Sequence, residues 1–316
     1  MNKIKKITLF SLLLTFVLSM TGCMKLDATV KISSSGGATV VSTMSIDKEA
    51  YIEAMKESMA SMGTEMANAE LAELDSSMET QGFKLVVIDG KEYYQTSETE
   101  KYSNKKFLKY LNSDGSTGYA TKDTFYWKTV INAEDELGDY ADTLQSSGDD
   151  ISSVMTYTMK VTFDKKIASV SGGKVDSKDS KTAIFNIPLD KSTTIFATTN
   201  KKVSKTSVKS TVKSLNTISK TKISSLKPNK VKASSKKATA TLKFKKVKDA
   251  ASYEIQYSTN KDFKSAKTKT TKKTTYTLSS LKKNTTYYVR VRAVKKNLAG
   301  ETVYSSWVKK TVKTKK

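Results

Sequence analysis

Few side chains in this 316-residue sequence combine the types and spacing that chemistry needs. Histidine is absent and Cys23 is the only thiol. That excludes a Ser-His-Asp or Cys-His nucleophile pair, His-ligated metals and the usual general base near neutral pH. An intramolecular disulfide and a thiolate zinc site are excluded for the same reason. Catalysis would have to rest on carboxylates, lysine or tyrosine. The adjacent carboxylates Glu134-Asp135-Glu136 and Asp149-Asp150 lie in an acidic stretch flanked by Ser and Gly, which reads as solvated surface. Tyr288, Arg290 and Arg292 stand at every second position, and these are the only two arginines, against 53 lysines. A guanidinium fork clasps carboxylate or phosphate better than an ammonium does. No catalytic residue, metal or cofactor is expected, and the chain is expected not to be an enzyme.

The elements around Cys23 give it a different chemistry. Lys3, Lys5 and Lys6 precede an apolar run, Ile7 to Met20, and Met20-Thr21-Gly22-Cys23 closes the segment. At 14 residues the run falls short of the roughly 20 that a spanning helix needs. The layout is that of a secretory signal peptide with cysteine at the cleavage position. It resembles the lipobox of bacterial lipoproteins, with Met20 where leucine is commonest. The resemblance implies removal of residues 1–22 and lipidation of Cys23, an extracytoplasmic location, and attachment to the membrane. Each buried methylene would contribute about 0.8 kcal/mol, so only a multiply acylated cysteine anchors stably.

The charge of +24 is unevenly distributed. Residues 23–200 hold 19 lysines against 27 carboxylates, a net −8. Residues 201–316 hold 33 Lys and Arg against Asp249, Glu254, Asp262 and Glu301, a net +29, and the three lysines before Cys23 complete the total. Such halves are expected to be separate domains.

In the acidic half, alternation over Leu26 to Ile32 and Ala38 to Ile46 around Ser33–Gly37 predicts a hairpin. Asp47 is a candidate N-cap. Ile52, Met55, Met59, Met62 and Met66, then Leu71, Leu74 and Met78, recur at helical spacing, with Gly63 dividing two helices and Gly82 ending the second. Such a methionine stripe reads as core, since the opposite face is acidic; a lipid-facing surface is the alternative. Phe83 to Tyr94 predicts a strand pair around Asp89-Gly90. Phe107 to Leu111 predicts a short helix. Further strands are expected over Tyr119 to Ile131, Met155 to Phe163, Ile167 to Val170, Thr182 to Pro188 and Thr193 to Ala197. Strands gathered around helices predict an α+β domain over residues 23–200. The strand Met24–Val30, and Met159–Phe163 leading through Ser171-Gly172-Gly173 to Thr182–Leu189, resemble the LppM-type lipoprotein domain. Asp164 and Phe185 stand where that pattern more often has proline and tryptophan. The resemblance implies an extracytoplasmic α+β module contacting lipid or envelope components.

Residues 201–226 are rich in Lys, Ser and Thr and are expected to form a flexible basic tether, spanning roughly 25–30 Å as a coil. Val203, Val208 and Val212 offer an extra strand as the alternative. Beyond Pro228, inward sets are expected at Ala238, Ala240, Leu242 and Phe244, at Tyr253, Ile255 and Tyr257, at Tyr276 with Leu278, and at Val289, Val291 and Ala293, with Val303 to Val312 closing an all-β sandwich. Leu281 to Ala293 resembles the corner and following strand of an immunoglobulin-like fibronectin type III domain, covering 227–316. That resemblance implies a tyrosine corner at Tyr287, a plug at Leu281, a Trp-to-Phe replacement at Phe244 and Trp307 in the final strand.

Tyr288, Arg290 and Arg292 then face outward as a candidate polyanion site. The expected partners are the membrane through Cys23 and an anionic wall polymer such as teichoic acid, or another envelope protein. Nucleic acid meets the same charge criterion, but export removes it as a physiological partner. A solubilising lysine coat explains the charge equally well. The function expected is non-catalytic binding or scaffolding between membrane and wall. The alternative is lipid or solute binding in a methionine-lined pocket of the N-terminal domain.

Overall fold

The computed structural model describes residues 24–59, 64–113, 115–130, 155–188, 191–232 and 235–316. Cys23, the preceding segment and both carboxylate clusters lie outside them. The chain divides into two compact units, Met1–Lys209 and Ser210–Lys316.

The first unit is α+β. Strands β1 (Met24–Ile32) and β2 (Ala38–Asp47) form the expected hairpin, with Val30 opposite Val40. Asp47 caps helix α1 (Lys48–Met59), its carboxylate accepting from the Ala50 amide at 3.2 Å. Helix α2 (Thr64–Thr80) ends in a Schellman pattern, the Phe83 amide donating to the Met78 carbonyl. Next come β3 (Lys84–Ile88), β4 (Lys91–Tyr102), α3 (Asn104–Leu111), β5 (Thr117–Thr121), β6 (Thr124–Val130), β7 (Met155–Thr162), β8 (Ser169–Ser171), β9 (Lys174–Val175), β10 (Thr182–Ile187) and β11 (Ser192–Thr198). The strand region expected over Tyr119 to Ile131 is thus a hairpin, β5 with β6.

A seven-stranded sheet runs β3-β4-β2-β1-β7-β10-β9, antiparallel except for β1 beside β7. A four-stranded sheet, β5-β6-β11-β8, faces it. Ala28, Val30, Ile32, Phe125, Val161, Phe185 and Ile195 meet in the shared core. Tyr51, Met55, Leu74, Met78 and Tyr94 are also buried. At Met55 and Met78, therefore, the stripe is core; the side chains of Met59, Met62 and Met66 lie outside those described.

The expected tether holds regular structure. Helix α4 (Lys205–Asn216) and strand β12 (Ile223–Pro228) occupy much of it. Ser204 and Ser207 cap α4 reciprocally, each hydroxyl accepting the other's amide at 3.1 Å. Val208 and Val212, four residues apart, are buried on one helix face rather than on a strand. Lysine-rich composition masks this because long lysine stems are good helix formers whose charged ends stay in water.

The second unit is the sandwich. One sheet is β12-β13-β16, with β13 at Ala238–Phe244 and β16 at Thr275–Leu281. The other centres on β17 (Thr286–Lys296), flanked by β14 (Ser252–Ser258) with β15 (Lys267–Thr271) outside it. On its far side β17 pairs with β18 (Thr302–Tyr304) and then β19 (Val308–Lys313). Ala240, Leu242, Ile255, Leu278, Val289 and Val291 are fully buried between the sheets. Tyr287 is the expected corner, its hydroxyl accepting the Lys282 amide at 3.0 Å. Leu281 and Phe244 are buried as expected. Trp307 is not in the final strand; it sits in the break between β18 and β19.

Candidate functional site

The outer face of the β17 sheet carries the three residues singled out in the sequence. Along β17 the alternation buries Tyr287, Val289, Val291 and Ala293 and turns Tyr288, Arg290 and Arg292 outward. On β14 the same alternation turns out Glu254 and Gln256, and the register sets Glu254 opposite Arg292 and Gln256 opposite Arg290. Each arginine meets an acceptor because two period-two patterns are paired in phase.

The Arg290 fork donates from Nε and Nη2 to Gln256 Oε1 at 2.8 and 2.6 Å. Gln256 Nε2 donates onward to the Thr268 hydroxyl at 3.1 Å. Arg292 Nη2 reaches both Glu254 oxygens at 3.1 and 3.2 Å, with side-chain exposures of 23% and 17%. Arg292 Nε is buried without an acceptor. Burial, and then the neighbouring charge of Arg292, hold the Arg290 guanidinium below its usual value.

Aromatic rings cover the guanidinium planes. Arg290 Cζ lies 4.1 Å from the Phe263 ring centre and 4.4 Å from that of Trp307. Arg292 Cζ lies 4.4 Å from Trp307 and 3.7 Å from Tyr304. The order of contact is Phe263, Arg290, Trp307, Arg292, Tyr304, a ladder in which one indole serves both cations. The break between β18 and β19 is what lets Trp307 lie there.

Tyr288 shares the face, opposite Ser258 and Thr311, while the rungs come from Phe263, Trp307 and Tyr304. Those three rings, Glu254 and Gln256 were not among the expected site residues. Alternation on β14 could have found the two acceptors, whereas Phe263 and Trp307 are in loops and have no periodic signal. The consequence for binding is direct. Arg290 Nε and Nη2 and Arg292 Nη2 already have internal acceptors, Arg292 Nε is buried, and stacked rings hold the planes. Lys309, opposite Arg290 on β19, is exposed and offers a further charge, its Nζ 5.8 Å from the Phe263 ring centre.

In the first unit a cavity of about 310 Å³ is lined by Ser34, Ser35, Asn104, Leu108, Tyr119 and Lys122, among others. Its walls mix polar side chains with apolar surface from Leu108, Tyr119 and Ala120, and include no methionine. Among the described residues there is no group of three or more His, Cys, Asp or Glu that could hold a metal, and no helix long and apolar enough to cross a membrane.

Residues 226–309 match the family model of the fibronectin type III domain. No curated protein matches the chain. Among solved structures, the crystal structure of FN3tt is 24% identical, covering 31% of this chain and 95% of its own, with a TM-score of 0.24. A Fn3-like protein from Clostridium thermocellum is 24% identical over 30% of this chain and 92% of its own, TM-score 0.22. The folded domain of LppM from Mycobacterium tuberculosis is 10% identical over 56% and 90%, TM-score 0.29. The chain is thus an α+β unit followed by a fibronectin type III sandwich. That architecture fits a binding or scaffolding role.

Proposed function

We propose that this is a lipid-anchored extracytoplasmic protein, fastened through Cys23, that binds or scaffolds without catalysis between membrane and wall. Its basic sandwich contacts anionic wall polymer. The observation that supports this most is the charge separation along the chain: 33 basic residues against four acidic ones after residue 200, following a net −8 over residues 23–200. With the arginines stacked and hydrogen-bonded, lysines supply the contact as many exposed point charges. Such a contact selects for charge density, not for a fixed ligand shape.

Many weak lysine contacts are screened strongly by salt. Titration of the purified protein with teichoic acid should show affinity falling at least tenfold between about 50 and 200 mM salt, by analogy with other polyanions. Replacing Arg290 and Arg292 by lysine should leave affinity within about twofold, because charge is kept. Binding indifferent to salt would refute the reading.

A further inference from the structure

The β3–β4 hairpin projects from the end of the seven-stranded sheet at which Met24, the residue after Cys23, begins β1. Register carries this across the sheet. Met24 lies opposite Ile46, Ile46 opposite Tyr94, and Tyr94 opposite Leu85. Beyond that row the hairpin continues through Tyr93 with Val86, Glu92 with Val87, and Lys91 with Ile88. Asp47 of β2 still pairs with Tyr93, so at about 3.4 Å per residue the hairpin extends about 10 Å past the start of β1 and about 7 Å past β2. Asp89 and Gly90 both have positive φ, 50° and 83°, and close it as a tight primed turn.

The outer half of the hairpin exposes apolar side chains beside the charges of Asp89, Lys91 and Glu92, where a solvated edge strand is normally charged throughout or blunted. Leu85 is 45%, Val87 67% and Ile88 36% exposed, three of the five large hydrophobic residues exposed among those described. Lys84 and Lys91 balance Asp89 and Glu92, so the paired part of the hairpin, residues 84–95, has no net charge with which to seek an anionic surface.

We infer that the tip of this hairpin, through Val87 and Ile88, inserts into the surface of the bilayer to which the protein is anchored. The inference rests on the lipid-anchored reading of Cys23. One peptide bond separates that residue from Met24, so an acylated Cys23 holds this end of the sheet against the lipid. Tethering makes insertion intramolecular, and a small apolar tip then suffices where it would not recruit a free protein. The occupant of the exposed strand is thus lipid rather than another chain.

The test uses the full acylated protein in phosphatidylcholine vesicles, with Val87→Cys, Ile88→Cys or Ser34→Cys as its one free thiol, labelled with an environment-sensitive fluorophore. Ser34 is exposed in the β1–β2 turn, at the opposite end of the sheet. Lipids spin-labelled near the headgroup should quench the probes at 87 and 88 several-fold more than the probe at 34. Added anionic lipid or 0.5 M salt should leave the difference unchanged. Equal quenching at all three sites overturns the inference, as does a difference that salt abolishes. Disulfide-linked dimers of the unlabelled Val87→Cys protein, together with an unquenched probe at 87 in the labelled one, would assign the edge to a second copy and overturn it too. Mass spectrometry of Cys23 reads the anchor separately. An unacylated cysteine defeats the anchored reading, whereas an acylated protein with an unquenched tip defeats only the insertion.

Discussion

Replacing Arg290 and Arg292 together by lysine separates a structural ladder from a mere pair of positive charges. The change keeps both charges and removes two planes. Four ring contacts, between 3.7 and 4.4 Å, are lost or weakened. Each is worth about 0.5–1 kcal/mol at partly exposed positions, and an ammonium recovers some of that. The Arg290 fork on Gln256 becomes at most a single bond, a further loss of about 1 kcal/mol. Together the sandwich should lose about 2–4 kcal/mol. The chain has two tryptophans, Trp127 in the first unit and Trp307 in the ladder. A Trp127→Phe background therefore makes fluorescence report the sandwich alone. The change falls in the first unit and breaks no hydrogen bond, since the buried Trp127 indole nitrogen has no acceptor. Urea unfolding with a slope near 1 kcal/mol per M should show the midpoint falling by about 2–4 M. A shift below about 0.5 M with unchanged slope would mean that the stacked geometry contributes nothing beyond charge, and would refute the ladder.

Three other outcomes follow from the packing. Tyr287→Phe leaves the Lys282 amide without its acceptor and should cost the sandwich about 1–3 kcal/mol, read by the same urea midpoint. Gly173→Ala places a methyl against the Ile184 carbonyl oxygen and the Phe185 ring; thermal unfolding of the first unit should show a loss of about 1–3 kcal/mol. The Asp75 carboxylate accepts from the Tyr94 hydroxyl and pairs with Lys48, and these hold its pKa below the ordinary value. Its contribution is present above the unfolded value near 4 and is lost as pH falls through the lower folded one. Asp27 acts oppositely. Burial raises it against the pull of Lys160 and Lys25, so its contribution is full in acid and fades as pH rises through the raised value. Asp75→Asn should therefore flatten the loss of first-unit stability below about pH 4, followed by Trp127 fluorescence. The effect should be small because Asp75 is 60% exposed.

Periodic features of the fold are legible in the residue pattern. Alternation marks the paired strands Met24–Ile32 and Ala38–Asp47 and the inward rows of β13, β14 and β17, because a side-chain period of two needs no knowledge of the partner strand. Asp47 and Gly82 mark helix ends through capping preferences that act within one turn. Lysine-rich α4 is the exception, because its composition suggests an extended tether while the spacing of Val208 and Val212 fits a helix.

The chemical types available, the opposed charges of the two halves and the outward direction of Arg290 and Arg292 follow from sequence alone, since each depends on residue identity or local period. What those arginines touch is decided only in three dimensions. Glu254 and Gln256 reach them through strand register, Tyr304 from the end of β18, and Phe263 and Trp307 through connections whose path no local pattern encodes. The projecting apolar hairpin likewise emerges only when β1, β2, β4 and β3 are laid side by side. A strand's length is local, but how far it overhangs its neighbours depends on non-local hydrogen bonding.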